Sequence, residues 1–272
     1  MGTGLRPEDK AKKDNAYQLP WIGFFNDTER DAVKGAEVYG GIKAGFVSGQ
    51  ATEDIVAKSI LGSSELGSYL SPDQVLNYVE AHDNFNLHDL LVELHPDDDI
   101  LTRTKRIELA TAMNLLMQGM SFMEVGQEFS RTKLVATGED GQVLHSDRER
   151  AMNSYNAPDA VNQVNWDILQ DHQESIDFIK DIIRLKTSYK AFSYQAYEDI
   201  YKHVFVQSAE QGSGLIIFEI KDDKHYQVIF NASGLPYYLP NADKLRLIVG
   251  NSRHKKPFYV ENLTVSVFEV IQ

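Results

Sequence analysis

The chain has no cysteine among its 272 residues, which removes disulfides, thiolate metal centres and cysteine nucleophiles. That absence suits either side of a membrane. It also lacks any apolar run near the roughly 20 residues that a membrane-crossing helix needs, so no membrane partner is expected. The first 20 residues are polar and charged, with no apolar segment of signal-peptide length. As it stands, the chain is expected in the cytoplasm. Positive charge is scarce: 27 Lys and Arg against 40 Asp and Glu leave a net charge of −13. Nucleic acid, whose phosphates require a basic surface, is therefore excluded as a partner. No internal repeat and no low-complexity tract is present. What remains is 42% hydrophobic and 25% charged, the make-up of a globular protein that can bury a core as one large or two smaller domains.

The patterning falls into two regimes. Over residues 1–190 short apolar runs alternate with helical periodicity, the signature of α/β units. Trp21–Asn26 (WIGFFN), Val75–Ala81 (VLNYVEA) and Ser121–Val125 (SFMEV) read as strands. Leu109, Ala112, Met113, Leu116, Met117 and Met120 form one apolar stripe at helical spacing. Residues 131–167 read as a long polar loop, and 176–189 as a second amphipathic helix. Residues 191–272 carry five strand patterns, at 203–207, 215–220, 226–230, 244–249 and 263–270, separated by turn signals such as Gln211-Gly212-Ser213-Gly214. These predict an all-β antiparallel sandwich domain of about 80 residues, able to bury a modest core of its own.

The residues that draw attention chemically are His82, Asp83 and Asn84, with His88-Asp89 close behind. A polar cluster directly after an apolar strand stands at that strand's C-terminal end, where barrels of parallel strands build their active sites. Such a cluster could bind sugar hydroxyls, ligate a metal, or cap the next helix, and capping is the commonest use of residues of this kind. The acidic run Asp97–Asp99 offers calcium the carboxylate oxygens it prefers, but it reads more simply as a solvated loop before a helix. No metal site and no cofactor are expected. Trp21 and Trp166 have ring faces on which a sugar could stack, although the plainer expectation for both is burial.

Taken in order, the motifs acquire a family. Asn77–Asn84 (NYVEAHDN) resembles the fourth conserved region of glycoside hydrolase family 13, and Met120–Lys133 (MSFMEVGQEFSRTK) resembles its strand-eight region. Asn153–Trp166 (NSYNAPDAVNQVNW) is similar to the loop that type I pullulanases carry after that strand. The opening Met1–Gly35 is also similar to a pullulanase segment, notably at Gly23-Phe24-Phe25-Asn26 and Arg30-Asp31-Ala32-Val33-Lys34-Gly35. The resemblance implies a partial TIM barrel over residues 1–190, comprising strands six to eight with their helices, followed by the β-sandwich at 191–272. It implies retaining hydrolysis of α-1,6-glucosidic bonds, with an α-glucan partner such as pullulan, glycogen or starch limit dextrins. Asp83 matches the family's transition-state-stabilising carboxylate and His82 the histidine that hydrogen-bonds the same sugar. Asn84, Tyr155, Asn156 and Asp159 are looser candidates for substrate binding, and Glu128 for a residue that orients others. A full-length relative could be extracellular or at the cell surface.

One departure from the family pattern weighs more than these matches. The Arg-x-Asp that carries the family's nucleophile, and the region that carries its acid/base glutamate, have no counterpart in these residues. The expectation is a C-terminal portion of a debranching hydrolase that is catalytically incomplete by itself. The alternative is an inert or weakly glucan-binding remnant with no enzymatic role.

Overall fold

A computed structural model describes residues 4–38, 41–136, 138–252 and 258–271. The first half is a mixed region: β1 (Phe24–Phe25), α1 (Asp27–Val33), the antiparallel pair β2 (Gly35–Val38) and β3 (Gly41–Ala44), α2 (Glu53–Ile60), β4 (Val75–Asn77), α3 (Leu87–Leu94), α4 (Ile100–Leu116) and β5 (Met120–Ser121). The second half follows with α5 (His145–Met152), α6 (Asp159–Asn162), α7 (Gln173–Ser188) and α8 (Tyr197–His203). Strands β6 (Val204–Ser208), β7 (Leu215–Lys221), β8 (His225–Asn231), β9 (Tyr237–Tyr238), β10 (Leu245–Gly250), β11 (Tyr259–Val260) and β12 (Thr264–Val270) complete it. Among the described residues no helix is long and apolar enough to cross a membrane.

Strands β1, β4 and β5 pair in parallel in that order. They are two or three residues long, shorter than the five to seven that their apolar runs predict, and among the described residues β1 and β5 each pair on one side alone. Buried amides tie the three together below their C-terminal ends. Asn26 Nδ2 donates to Asn77 Oδ1 at 2.9 Å, and Asn77 Nδ2 to the Gln118 carbonyl at 2.9 Å. Gly119 turns the chain from α4 into β5 at φ 104°, and a Cβ there would lie 3.1 Å from the Val75 carbonyl, so the bend requires glycine. The apolar stripe that begins at Leu109 does not mark a single buried face: α4 is buried on every side from Ile107 to its end at Leu116, and Met120 lies beyond it, exposed on β5.

All five predicted C-terminal strands form, in one antiparallel sheet ordered β10-β12-β8-β7-β6. Among the described residues the second β layer is a two-stranded ribbon, β9 with β11, and not a second large sheet. Helices take the inner face instead: Ile216, Phe218, Val228, Phe230, Val265 and Val267 share one core with Leu109, Met113, Ile179 and Ile182 of α4 and α7. The outer face is covered at one end by the β9–β11 ribbon, through Ile217, Ile229, Leu239, Val260 and Phe268. The β domain therefore shares its larger core with the helices and keeps only this small outer cluster to itself.

Two further expectations change. The stretch 131–167 is not all loop, for it contains α5 and α6; their few buried residues, Asp147, Ala151 and Val161, are too sparse to form a stripe. Trp21 is 94% exposed and Trp166 is 57% exposed, so the expectation that both are buried is corrected.

Candidate functional site

A cleft of about 740 Å³ opens where the three parallel strands end. β1 delivers Asp27 and Arg30 on the first turn of α1, β4 runs into Tyr78 and the turn His82-Asp83-Asn84, and β5 runs into Phe122 and Glu124. Phe25, Tyr78 and Phe122 form an aromatic floor, with ring centroids 4.8 Å and 5.8 Å apart in edge-on geometry. His82 and Asp83 stand free in this space. Their side chains are 61% and 68% exposed, with Nε2 3.4 Å from Oδ1. Asn84 closes the turn in the left-handed region at φ 68°, a conformation asparagine tolerates better than most residues. With its amide oriented to satisfy both neighbours, Asn84 donates to Glu37 at 3.3 Å and accepts from Arg30 at 3.2 Å.

Capping, the commonest reading of the His-Asp cluster, falls to a different residue. Asn86 Oδ1 accepts from the Asp89 amide at 2.9 Å, starting α3, and Asn86 Nδ2 donates to the Arg131 carbonyl at 2.7 Å. Asp89 is fully buried and accepts from Thr132 Oγ1 at 2.6 Å and the Lys133 amide at 2.8 Å, so it is structural. Asn86→Ala removes the cap and leaves a buried carbonyl unpaired, and is expected to lower stability by about 2 kcal/mol in a urea melt. A loss below about 0.5 kcal/mol would show that water replaces both bonds.

Behind the turn lies a buried ionic network. Lys133 Nζ, wholly buried, reaches Glu124 Oε1 at 3.1 Å and Ser154 Oγ at 3.0 Å. The Ser154 amide donates to the His82 carbonyl at 3.1 Å, and Asp83 bridges to Asn153. Lys34 Nζ donates to the Phe85 carbonyl at 2.5 Å, while Glu37 accepts from the Phe85 amide at 2.7 Å. Burial pushes the Glu80 carboxyl up to about 8, with the charge of Glu124 adding to the rise and Lys34 and Lys133 opposing it. Burial likewise pushes Glu29 up to about 8, against its bond from the Tyr78 amide. Tyr78 is raised by burial and by donating to Asp27 at 2.6 Å, and it accepts from Arg30 at 2.7 Å.

Of the residues the sequence singles out, the structure brings His82, Asp83 and Asn84 to the cleft. Tyr155, Asn156 and Asp159 are exposed beyond its lining, and the loop instead contributes Met152 and Asn153. Glu128 sits in the short turn Gln127–Phe129, whereas Glu124 is the acid at the end of β5 that reaches the cleft. Asp27, Arg30, Tyr78 and Glu124 also line the cleft; a polar residue just after an apolar strand marks Asp27, whereas Tyr78 and Glu124 fall inside their predicted strands and Arg30 lies a helical turn beyond. Asp98 pairs with Arg106 at 2.7 Å and Asp99 caps α4 by accepting from the Thr102 amide at 2.7 Å. Among the described residues no group of three or more His, Asp or Glu is placed to hold a metal ion.

No family model matches the chain. It is 33% identical over 262 residues to the pullulanase of Bacillus subtilis (strain 168), covering 91% of this chain and 34% of that protein. It is 25% identical over 244 residues to pullulanase A of Streptococcus pneumoniae serotype 2, covering 79% and 19%. In structure it matches the pullulanase of Anoxybacillus sp. LM18-11 complexed with maltotetraose, at TM-score 0.83 and 29% identity over 98% of this chain and 38% of that one. The type I pullulanase of Bacillus subtilis str. 168 complexed with maltose gives 0.80 and 29%, over 99% and 38%. Sequence and fold thus liken the chain to part of the pullulanases. More particularly, it matches the C-terminal portion of type I pullulanases, spanning about a third of the length of the Bacillus relative.

Proposed function

We propose that these residues form the sugar-holding side of an α-1,6-glucan debranching site of the glycoside hydrolase family 13 type, with β1, β4 and β5 as strands six to eight of a (β/α)8 barrel. The observation that carries this reading is the cleft itself: all three parallel strands end in it, and Asp83 and His82 project into it unburied. Support comes from the matching pullulanases, two of whose structures hold maltotetraose or maltotriose.

Retaining hydrolysis needs a nucleophilic carboxylate and a general acid about 5–5.5 Å apart. Three carboxylates line this cleft, but two are engaged by the protein. Asp27 accepts from Tyr78, and Glu124 is held by Lys133 and, at 3.4 Å, by Arg131. Asp83 is left to grip hydroxyls of the sugar at the cleavage position, with His82 beside it and the Phe25–Tyr78–Phe122 floor against the ring. Its hydrogen bonds strengthen as the sugar distorts toward an oxocarbenium-like state, so its contribution is to the transition state. The nucleophile and the acid belong to the upstream part of the barrel.

The 272 residues by themselves are expected to bind maltotetraose weakly and to release no reducing sugar from pullulan above buffer. Asp83→Ala is expected to abolish the binding while near-ultraviolet circular dichroism stays unchanged. Hydrolysis that disappears in Asp83→Ala would refute the missing-partner reading. Absence of binding in a folded chain would favour an inert remnant.

A further inference from the structure

The outer face of the C-terminal sheet is only partly covered. Where the β9–β11 ribbon stops, a hollow of about 480 Å³ lies between the sheet and the segment 237–245, within the range of small-molecule sites (about 300–1,000 Å³). Side chains alternate along each strand, so with Ile216, Phe218 and Ile220 of β7 buried against the helices, Ile217 and Glu219 face this hollow. Ile217, Leu245 and Val270 give it apolar surface. Gln207 on β6, Gln227 on β8, Tyr237 on β9 and Asn241 on the loop bring three amides and a phenol to the same space.

These polar groups are unspent. Among the described residues the side chains of Gln207, Gln227, Tyr237 and Asn241 make no hydrogen bond to the protein, although Gln227 and Tyr237 are half-buried. The charge nearby is largely internally compensated: Glu219 lies 2.6 Å from Lys221 and 3.3 Å from His225, leaving Lys244 at the mouth. Neutral donors and acceptors that converge over apolar surface suit a neutral polyhydroxyl ligand, whose hydroxyls pair with amides while its carbon–hydrogen face lies on the aliphatic side chains. A phosphate would meet the Glu219 carboxylate.

We propose that this hollow is a second α-glucan site, separate from the His82–Asp83 cleft, which holds a glucan chain on the back of the C-terminal sheet. The ligand class rests on the glucan reading given above; the site itself rests on the hollow and its unpaired amides. Each of the two places can be tested without the other.

The test is a titration of the whole ¹⁵N-labelled chain with maltotetraose, followed by nuclear magnetic resonance. Saturable shifts are expected in the side-chain amides of Gln207, Gln227 and Asn241, with a dissociation constant of about 1 mM or tighter. Gln227→Ala combined with Tyr237→Ala is expected to weaken binding there about tenfold and to leave the shifts around His82 and Asp83 in place. Asp83→Ala is expected to do the reverse. Gln207→Ala, at an exposed position, gives the same direction if the double variant fails to fold. Shifts confined to the His82–Asp83 cleft would overturn the second site and leave the proposed function standing. Shifts at the sheet matched by an equal concentration of glycerol would overturn it as well. No shift at either place would remove both.

Discussion

Lys133→Met is expected to destabilise the protein by about 3–5 kcal/mol, because it strips the cation from a buried ionic network while keeping most of the side chain's volume. Lys133 is wholly buried and serves both Glu124 and Ser154. Without it Glu124 has Arg131 alone, at 3.4 Å, and the buried Glu80 loses one of the two cations that moderate its burial. Such a loss is a large part of a typical domain's stability of about 5–15 kcal/mol. Urea unfolding is the measurement, with the midpoint falling at constant slope. Lys133→Met with Glu124→Gln should recover part of the loss, since the stranded carboxylate goes with its partner. A loss below about 1 kcal/mol in the single variant would show that water enters the network. Ser154 also anchors the His82 carbonyl, so maltotetraose affinity should fall together with stability.

The second large effect concerns pH. The Glu29 carboxyl, fully buried with Oε1 unpartnered, is pushed up from 4.5 to about 8 in the folded protein. Between those values the folded chain holds a proton that the unfolded chain has released, so stability falls as pH rises. The contribution is complete below the unfolded value and gone above the folded one. Glu80 acts in the same direction. Burial also lowers His95, His172, Lys34 and Lys186, which all act the other way, Lys186 from about pH 8 upward. The clean readout is therefore a difference. Glu29→Gln, which mimics the protonated carboxyl, should be less stable than or equal to the parent near pH 5 and should gain on it steadily toward pH 8. The relative change is on the order of 4 kcal/mol. A difference that does not vary with pH would mean that Glu29 is ionised throughout.

Legibility from the sequence varies with the source of the signal. The five long C-terminal strands lie within one or two residues of where alternation and turn residues place them, since the inner face of that sheet packs against α4 and α7 and so enforces the alternation. His82 and Asp83 were legible because a polar cluster breaks abruptly from an apolar strand. The rest of the cleft was harder to see. Asp27, Tyr78 and Glu124 are brought together only by the order β1-β4-β5, which no local pattern encodes. Trp21 misled because an apolar run predicts burial, whereas burial also requires a neighbour to lie against it. Helices α5 and α6 were invisible because they bury almost nothing.

The core that passes without a break from α4 and α7 into β7, β8 and β12 has a mechanical consequence. Domains joined by small polar contacts swing on their linkers, but a large dry interface forbids that by default. Here the terminal sheet is a buttress against the helices that carry β5 and Glu124 into place. Any tilt of one relative to the other would tear aliphatic side chains apart, so a glucan held on the sheet's back and one held in the cleft would keep a constant spacing.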